Sequence, residues 1–213
     1  MTRLDQPRRL LAFAIAALAG MVDATGFLAA DSYFVSFMSG NTTRLAVDLA
    51  TNPMQALVPL GLIAGFLSGV FFGALLADRA GRWRKTALLC VVASLLALSA
   101  LALLEGHKSA MIAPAVLAMG AINNAFARER GVTVGLTYMT GALVRLGQGL
   151  ADRIAGKPSP GLFDNLLLWL SLVSGAIGGA FAYLATPSLG VWLGAVFAGL
   201  LALAAFLVER RKA

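Results

Sequence analysis

The sequence predicts an all-α polytopic membrane protein, with about six transmembrane helices plus two re-entrant half-helices in an inverted internal repeat. Three observations predict it: the chain is too apolar for a soluble domain, its apolar residues gather into long runs, and one polar stretch set among those runs occurs twice. Of the 213 residues, 59% are hydrophobic and 13% charged, and the mean hydropathy is +0.83. A soluble domain is about half apolar and about a quarter charged. The runs approach ~20 residues, the length an α-helix needs to cross a hydrocarbon core.

Taken in order, the first run lies within "MTRLDQPRRLLAFAIAALAGMVDATGFLAA". Its apolar stretch is longer than that of a secretory leader and leads into polar sequence, so it reads as a first span at roughly 10–30. Further spans fall at roughly 56–77, 86–104, 109–127, 163–185 and 188–208. The chain then forms a single membrane domain, 1–213, with a first repeat over 10–104 and a second, inverted one over 109–208.

The doubled stretch is "SFMSGNTTRLAVDLA" at 36–50 and "TYMTGALVRLGQGLA" at 137–151. At a shift of 101, Met38, Gly40, Arg44, Leu45, Leu49 and Ala50 recur as Met139, Gly141, Arg145, Leu146, Leu150 and Ala151. Ser39 becomes Thr140 and Phe37 becomes Tyr138, and in the neighbouring spans Asp23 aligns with Asn124.

Basic residues give the topology, because cytoplasmic loops collect them. They gather at Arg3, Arg8 and Arg9, at Arg79, Arg82, Arg84 and Lys85, at Arg128 and Arg130, at Arg153 and Lys157, and at Arg210, Arg211 and Lys212. Only Arg44, Lys108 and Arg145 of the 17 fall elsewhere. All five groups reach the cytoplasm only if segment 32–50 starts and ends outside and segment 133–151 starts and ends inside. Both segments then enter the membrane without crossing it, and both termini are cytoplasmic.

A half-helix starting inside the membrane leaves backbone N–H groups unsatisfied and presents the positive end of its dipole, which favours anions. Ser39 and Asn41 are good N-caps, so the helices are expected from Thr42 and from Ala142. Gly40 and Gly141 supply backbone freedom at the break. Arg44 and Arg145 sit about one turn later, where an intramembrane arginine needs a partner or a task. Two readings stand. In one, the arginines pair with acids, Arg44 with Asp48 at i+4 or either with Asp23. In the other, Arg44, Arg145, Gly40, Asn41, Ser39, Thr140, Gly141, Asp23 and Asn124 surround a small solute, anionic by expectation, with Asp23 orienting it or carrying a proton.

Gly61, Gly65, Gly69 and Gly73, with Gly175 and Gly179, make smooth helix faces for close packing, and through such faces a homo-oligomer is a further expectation. Cys90 lies in an oily run, where a buried inert thiol is expected, and His107 lies in a short link. No cluster has metal-ligand spacing, so neither metal nor cofactor is expected. The net charge of +7 sits beside span ends, which reports topology and not nucleic acid as a partner. Without a nucleophile and base, an enzyme is not expected. The remaining alternatives are a non-transporting structural or signalling subunit and, behind it, a membrane-embedded enzyme.

The stretches "DATGFLAADSYFVSFMSGNTTRLAVDLA" and "NAFARERGVTVGLTYMTGALVRLGQGLA" carry a resemblance. On them the chain resembles the YoaK-like family of bacterial multi-pass membrane proteins, domain of unknown function 1275. Ser39 stands where that family often has threonine. The resemblance implies a multi-pass fold of this size in the bacterial inner membrane and supplies no substrate.

Overall fold

A computed structural model describes residues 5–126 and 139–210. The expected segment 133–151 is therefore seen from Met139 onward, and Arg3, Arg128, Arg130, Tyr138, Arg211 and Lys212 lie outside the described residues. The described chain is helical: α1 (Gln6–Ala29), α2 (Met38–Thr51), α3 (Leu57–Ala80), α4 (Arg84–Leu104), α5 (Lys108–Ile122), α6 (Met139–Ile154), α7 (Leu162–Ala185) and α8 (Pro187–Arg210). Four helical stretches are long and apolar enough to cross a membrane: Gln6–Ala29, Leu57–Leu104, Leu162–Ala185 and Pro187–Arg210. The second holds both α3 and α4, separated by the turn Gly81–Trp83, where Gly81 takes φ +52°. The remaining expected span, α5, has 15 residues and so covers only about 22 Å.

The short amphipathic helices α2 and α6 start earlier than the capping residues suggested. Helix α2 begins at Met38 with Phe37 as N-cap and no side-chain cap bond. The described part of α6 begins at Met139, three residues before Ala142.

Glycine sets how the long helices cross. A Cβ on Gly175 would stand 1.9 Å from the Ala17 carbonyl oxygen, one on Gly179 2.6 Å from that of Met21, and one on Gly20 2.0 Å from that of Leu172. Helices α1 and α7 therefore touch backbone to backbone, and because 17 meets 175 while 21 meets 179 they run parallel. At the α3–α5 crossing, Gly69 meets Leu117 at 2.3 Å, Gly73 meets Ala121 at 2.8 Å, and Gly120 meets Phe66 at 2.2 Å. This pair is parallel too. Every partner at one crossing maps onto the other by a constant shift. From α1 to α5 it is 100 (17 to 117, 21 to 121), and from α3 to α7 it is 106 (66 to 172, 69 to 175).

Helices α4 and α8 pack antiparallel along their length. The Trp83 and Phe206 rings stack at 5.1 Å, and the Glu209 carboxylate accepts from the Lys85 amide at 3.0 Å, the Thr86 amide at 3.2 Å and the Thr86 hydroxyl at 2.7 Å. Glu209 thus caps α4, placing a negative charge at the positive end of its dipole. The α4–α5 connection is a tight antiparallel hairpin in which the Ser99 hydroxyl donates to the Met111 carbonyl.

Together with the antiparallel α7–α8 hairpin, in which a Cβ on Gly190 would stand 2.9 Å from the Tyr183 backbone, these contacts fix all six directions. Helices α1, α4 and α7 run one way, and α3, α5 and α8 run the other. Hence α1 ends on the face where α3 starts, and the link carrying α2 leaves and returns on that face. On the opposite face α5 ends and α7 starts, so the link carrying α6 also returns to its own side. Arg8, Arg9, Arg79, Arg82, Arg84, Lys85 and Arg210 all sit at helix ends on that second face.

The core joins Leu11, Ile15, Leu18 and Val22 of α1 with Leu88, Val92 and Leu96 of α4, Met119 and Ile122 of α5, and Ala198 and Leu201 of α8. Cys90 is exposed on the outer surface of α4, a correction to the buried thiol expected from its oily sequence. An apolar neighbourhood in sequence fails to distinguish the core from the lipid-facing side of a membrane helix.

Candidate functional site

The site is built around the loop between α1 and α2. The chain leaves α1 at Ala29, turns through Asp31 (φ +48°) and Ser32 (φ +69°), and doubles back along the helix it has just left. The Asp23 carboxylate receives the loop, with one oxygen accepting from the amides of Val35 and Ser36, each at 2.9 Å. Asp23 lies six residues before the end of α1, so the loop at Val35 and Ser36 has come back about 9 Å along the helix.

Three more side chains pin the loop. Asn41 is fully buried and clamps Phe34, accepting from its amide at 3.0 Å and donating to its carbonyl at 2.6 Å. Asp48 is buried and accepts from the Tyr33 hydroxyl at 2.8 Å. Arg44 lies over the Tyr33 ring, 4.8 Å from its centroid, and donates to the Ser32 carbonyl at 3.0 Å. Gly40 leaves room for the Phe37 ring, which a Cβ would meet at 2.5 Å.

The expected residues therefore fall into separate groups. Asp23, Gly40, Asn41 and Arg44 converge on the loop, with Ser39 exposed beside them. Arg44 takes carbonyl oxygens and an aromatic face, while Asp48 takes the tyrosine. The i+4 pairing read from the sequence is replaced by two contacts to the returning loop. Asn124 ties the end of α5 to α3 by donating to the Val70 carbonyl at 3.0 Å. By the crossing shift of 100, the α5 residue at the place of Asp23 is Asn123, one position before it. Arg145 is exposed and donates from Nε to Asn165 Oδ1 at 3.1 Å. Thr140 is exposed, and Gly141 is buried beside Ala142, which packs with Ala16 and Leu168. Helices α2 and α6 pack on α3 and α7 respectively and do not touch each other, so Arg44 and Arg145 do not share one site.

Two cavities adjoin this region. One, of about 350 Å³, lies between α1 and α7 and is walled by Phe27, Phe34, Leu172 and Ala176, with Asp23 at its edge. The larger, of about 800 Å³, opens on the face where α1 ends and α3 and α5 begin. Gly61, Gly65 and Ser68 of α3 form one wall, and Asp31, Tyr33 and Lys108 line it as well. Ser68 lies eleven residues into α3, so the cavity reaches about 16 Å along that helix. Sequence reasoning missed Asp31, Ser68 and Lys108. The only available signal was that Lys108 is one of three basic residues outside the cytoplasmic groups. Also missed was the ion pair of Arg9 with the buried Asp164, which ties the starts of α1 and α7 together. Among the described residues no group of three or more His, Cys, Asp or Glu side chains is placed to hold a metal ion.

A family model described as "Protein of unknown function (DUF1275)" matches residues 11–205. The chain is also similar to the UPF0700 transmembrane protein RA0705 of Rhizobium meliloti (strain 1021). They are 39% identical over 206 residues, which cover 94% of this chain and 87% of that protein. No solved structure matches.

Proposed function

Since the chain belongs to the DUF1275 family of transmembrane proteins, whose description carries no activity, we propose from the geometry that it is a small-solute transporter or channel of the bacterial inner membrane. The observation that carries this reading is the cavity of about 800 Å³ reaching into the bundle from one face, with a wall of small residues. Ligand sites are concave, mostly apolar and supplied with a few polar groups. An enzyme is not part of this reading.

The helix directions support an inverted repeat. Two parallel crossings with matching glycine contacts, and two links that return to opposite faces, are what a pseudo-two-fold axis in the membrane plane produces. Carriers built this way bind near the repeat interface, beside broken helices. Apart from Lys108 at the cavity mouth, the basic helix ends among the described residues lie on the face away from the large cavity, so that face is assigned to the cytoplasm and the cavity opens outward.

Cysteine labelling checks the topology. With Cys90 replaced by alanine, single cysteines at Ser32 and Asn52 are expected to react with an impermeant maleimide on intact cells. One at Lys157 should react only after permeabilisation. Unlike labelling of Ser32 and Asn52 would mean that α2 spans the membrane, and would remove the inverted repeat.

Flux checks the function. Proteoliposomes loaded against gradients of small organic acids, amino acids and polyols should admit at least one class faster than empty vesicles, and Gly65→Trp, which fills the cavity, should cut that flux at least tenfold. Gly178→Trp, at an open position on α7, should leave it unchanged. Equal flux in vesicles with and without the protein, across the whole panel, would sink the reading.

A further inference from the structure

Resting on that reading, the lining of the outward cavity names a class of solute. Asp31 and Lys108 stand at its mouth, one just past the end of α1 and the other at the start of α5. Neither the Asp31 carboxylate nor the Lys108 ammonium has an ion-pair or hydrogen-bond partner among the described residues. The Asp31 backbone is held firmly, since the left-handed turn at Asp31 and Ser32 is secured by Arg44 through the Ser32 carbonyl. Tyr183 adds a third group. It is only 8% exposed, it lines the same cavity, and its hydroxyl has no hydrogen-bond partner among the described residues.

Farther in, the wall is mostly apolar, with Leu62 of α3 and Ile112 and Val116 of α5, and the Ser68 hydroxyl is turned back onto the Ala64 carbonyl at 2.8 Å. Val116 is eight residues beyond Lys108, about 12 Å along the helix. The cavity therefore offers an acid, a base and a free hydroxyl at its mouth and an oily pocket behind them.

We propose that the outward cavity, through Asp31, Lys108 and Tyr183, binds a small zwitterion bearing an ammonium, a carboxylate and an apolar side chain, as a neutral α-amino acid does. Asp31 takes the ammonium, Lys108 and the Tyr183 hydroxyl take the carboxylate, and the side chain points toward Val116. A simple anion would meet Lys108 and be repelled by Asp31, and a simple cation would meet the reverse. Charge at such a site discriminates by what it repels as well as by what it attracts.

The test uses the purified full-length protein with radiolabelled alanine, leucine and phenylalanine, first as binding in detergent and then as uptake into proteoliposomes. Competition by 4-methylpentanoate, which lacks the amino group of leucine, and by isopentylamine, which lacks its carboxylate, is measured alongside. Saturable binding of at least one amino acid is expected, with both leucine analogues at least tenfold weaker than leucine itself. Asp31→Asn and Lys108→Gln, both at exposed positions, should each weaken binding at least tenfold without altering thermal stability. No binding by any of the three, or equal competition by the two analogues, overturns the proposal. Binding that depends on Asp31 and Lys108 but comes with no uptake would keep the zwitterion site and overturn transport. Uptake of organic acids alone would keep transport and overturn the zwitterion.

Discussion

Gly175→Ala is expected to separate α1 from α7 and to lower the melting temperature in detergent by roughly 6–12 °C, on the scaling for a chain of this size. The added methyl would lie 1.9 Å from the Ala17 carbonyl oxygen, with the Ala17 carbonyl carbon and Cα at 2.6 and 2.8 Å. All three atoms are backbone, so no side chain can swing aside and a whole helix has to move. Overpacking of this kind costs about 3 kcal/mol, the upper end of the usual range. It also reaches the loop, because Phe34 lines the cavity between these helices together with Leu172 and Ala176. Gly178→Ala is the control, since nothing lies within 4 Å of its added methyl. Thermal unfolding followed by fluorescence-detected size exclusion compares the two. Equal melting points would mean that the α1–α7 contact is not the close one described.

The second large effect is expected at Asp23. Its carboxylate satisfies two backbone amides within the membrane, where no water replaces a lost partner. Asp23→Ala leaves both amides orphaned. At 1–3 kcal/mol for each unsatisfied donor, the loss is about 3 kcal/mol and falls on the loop and the start of α2. Asp23→Asn keeps an acceptor oxygen in place and should cost about 1 kcal/mol, the difference between a charged and a neutral hydrogen bond. Hydrogen exchange at Val35 and Ser36 reads this directly, with fast exchange in the alanine variant and near-normal protection in the asparagine variant. Under the proposed transport role, solute flux should follow the same order, lost with alanine and retained with asparagine. Flux abolished in Asp23→Asn with the loop still protected would instead assign a proton-carrying role to the carboxylate.

Much of the fold was legible because a membrane helix writes its length in the sequence. The expected spans at 163–185 and 188–208 meet α7 (Leu162–Ala185) and α8 (Pro187–Arg210) within two residues, and 86–104 meets α4 (Arg84–Leu104) equally well. In sequence and structure alike, most of the described basic residues gather at one set of helix ends. The site was less legible, for a physical reason. Pairing rules along a helix know only the residues of that helix, and they joined Arg44 to Asp48. The returning loop offered each a better partner, and nothing local announced that Asp31 and Ser32 would turn left-handed. Asn41 shows the same limit. Its type suits an N-cap, yet buried next to an extended segment it serves better by clamping both backbone groups of Phe34. The cavity was invisible because it arises from the spacing of α3 and α5 beyond their glycine crossing.

The parallel pairing of α1 with α7 also sets a timetable. Helix α1 packs closely on a helix made much later, since Ala29 ends α1 and Leu162 starts α7. At 5–20 residues per second, α1 waits roughly 7–27 s for that neighbour. During the wait, its backbone around Ala17, Gly20 and Met21 faces lipid or the insertion machinery in place of the smooth face of α7. The bundle therefore closes late. A nascent chain halted before α7 presents a bared, small-residue helix face, the form in which membrane quality control would meet it.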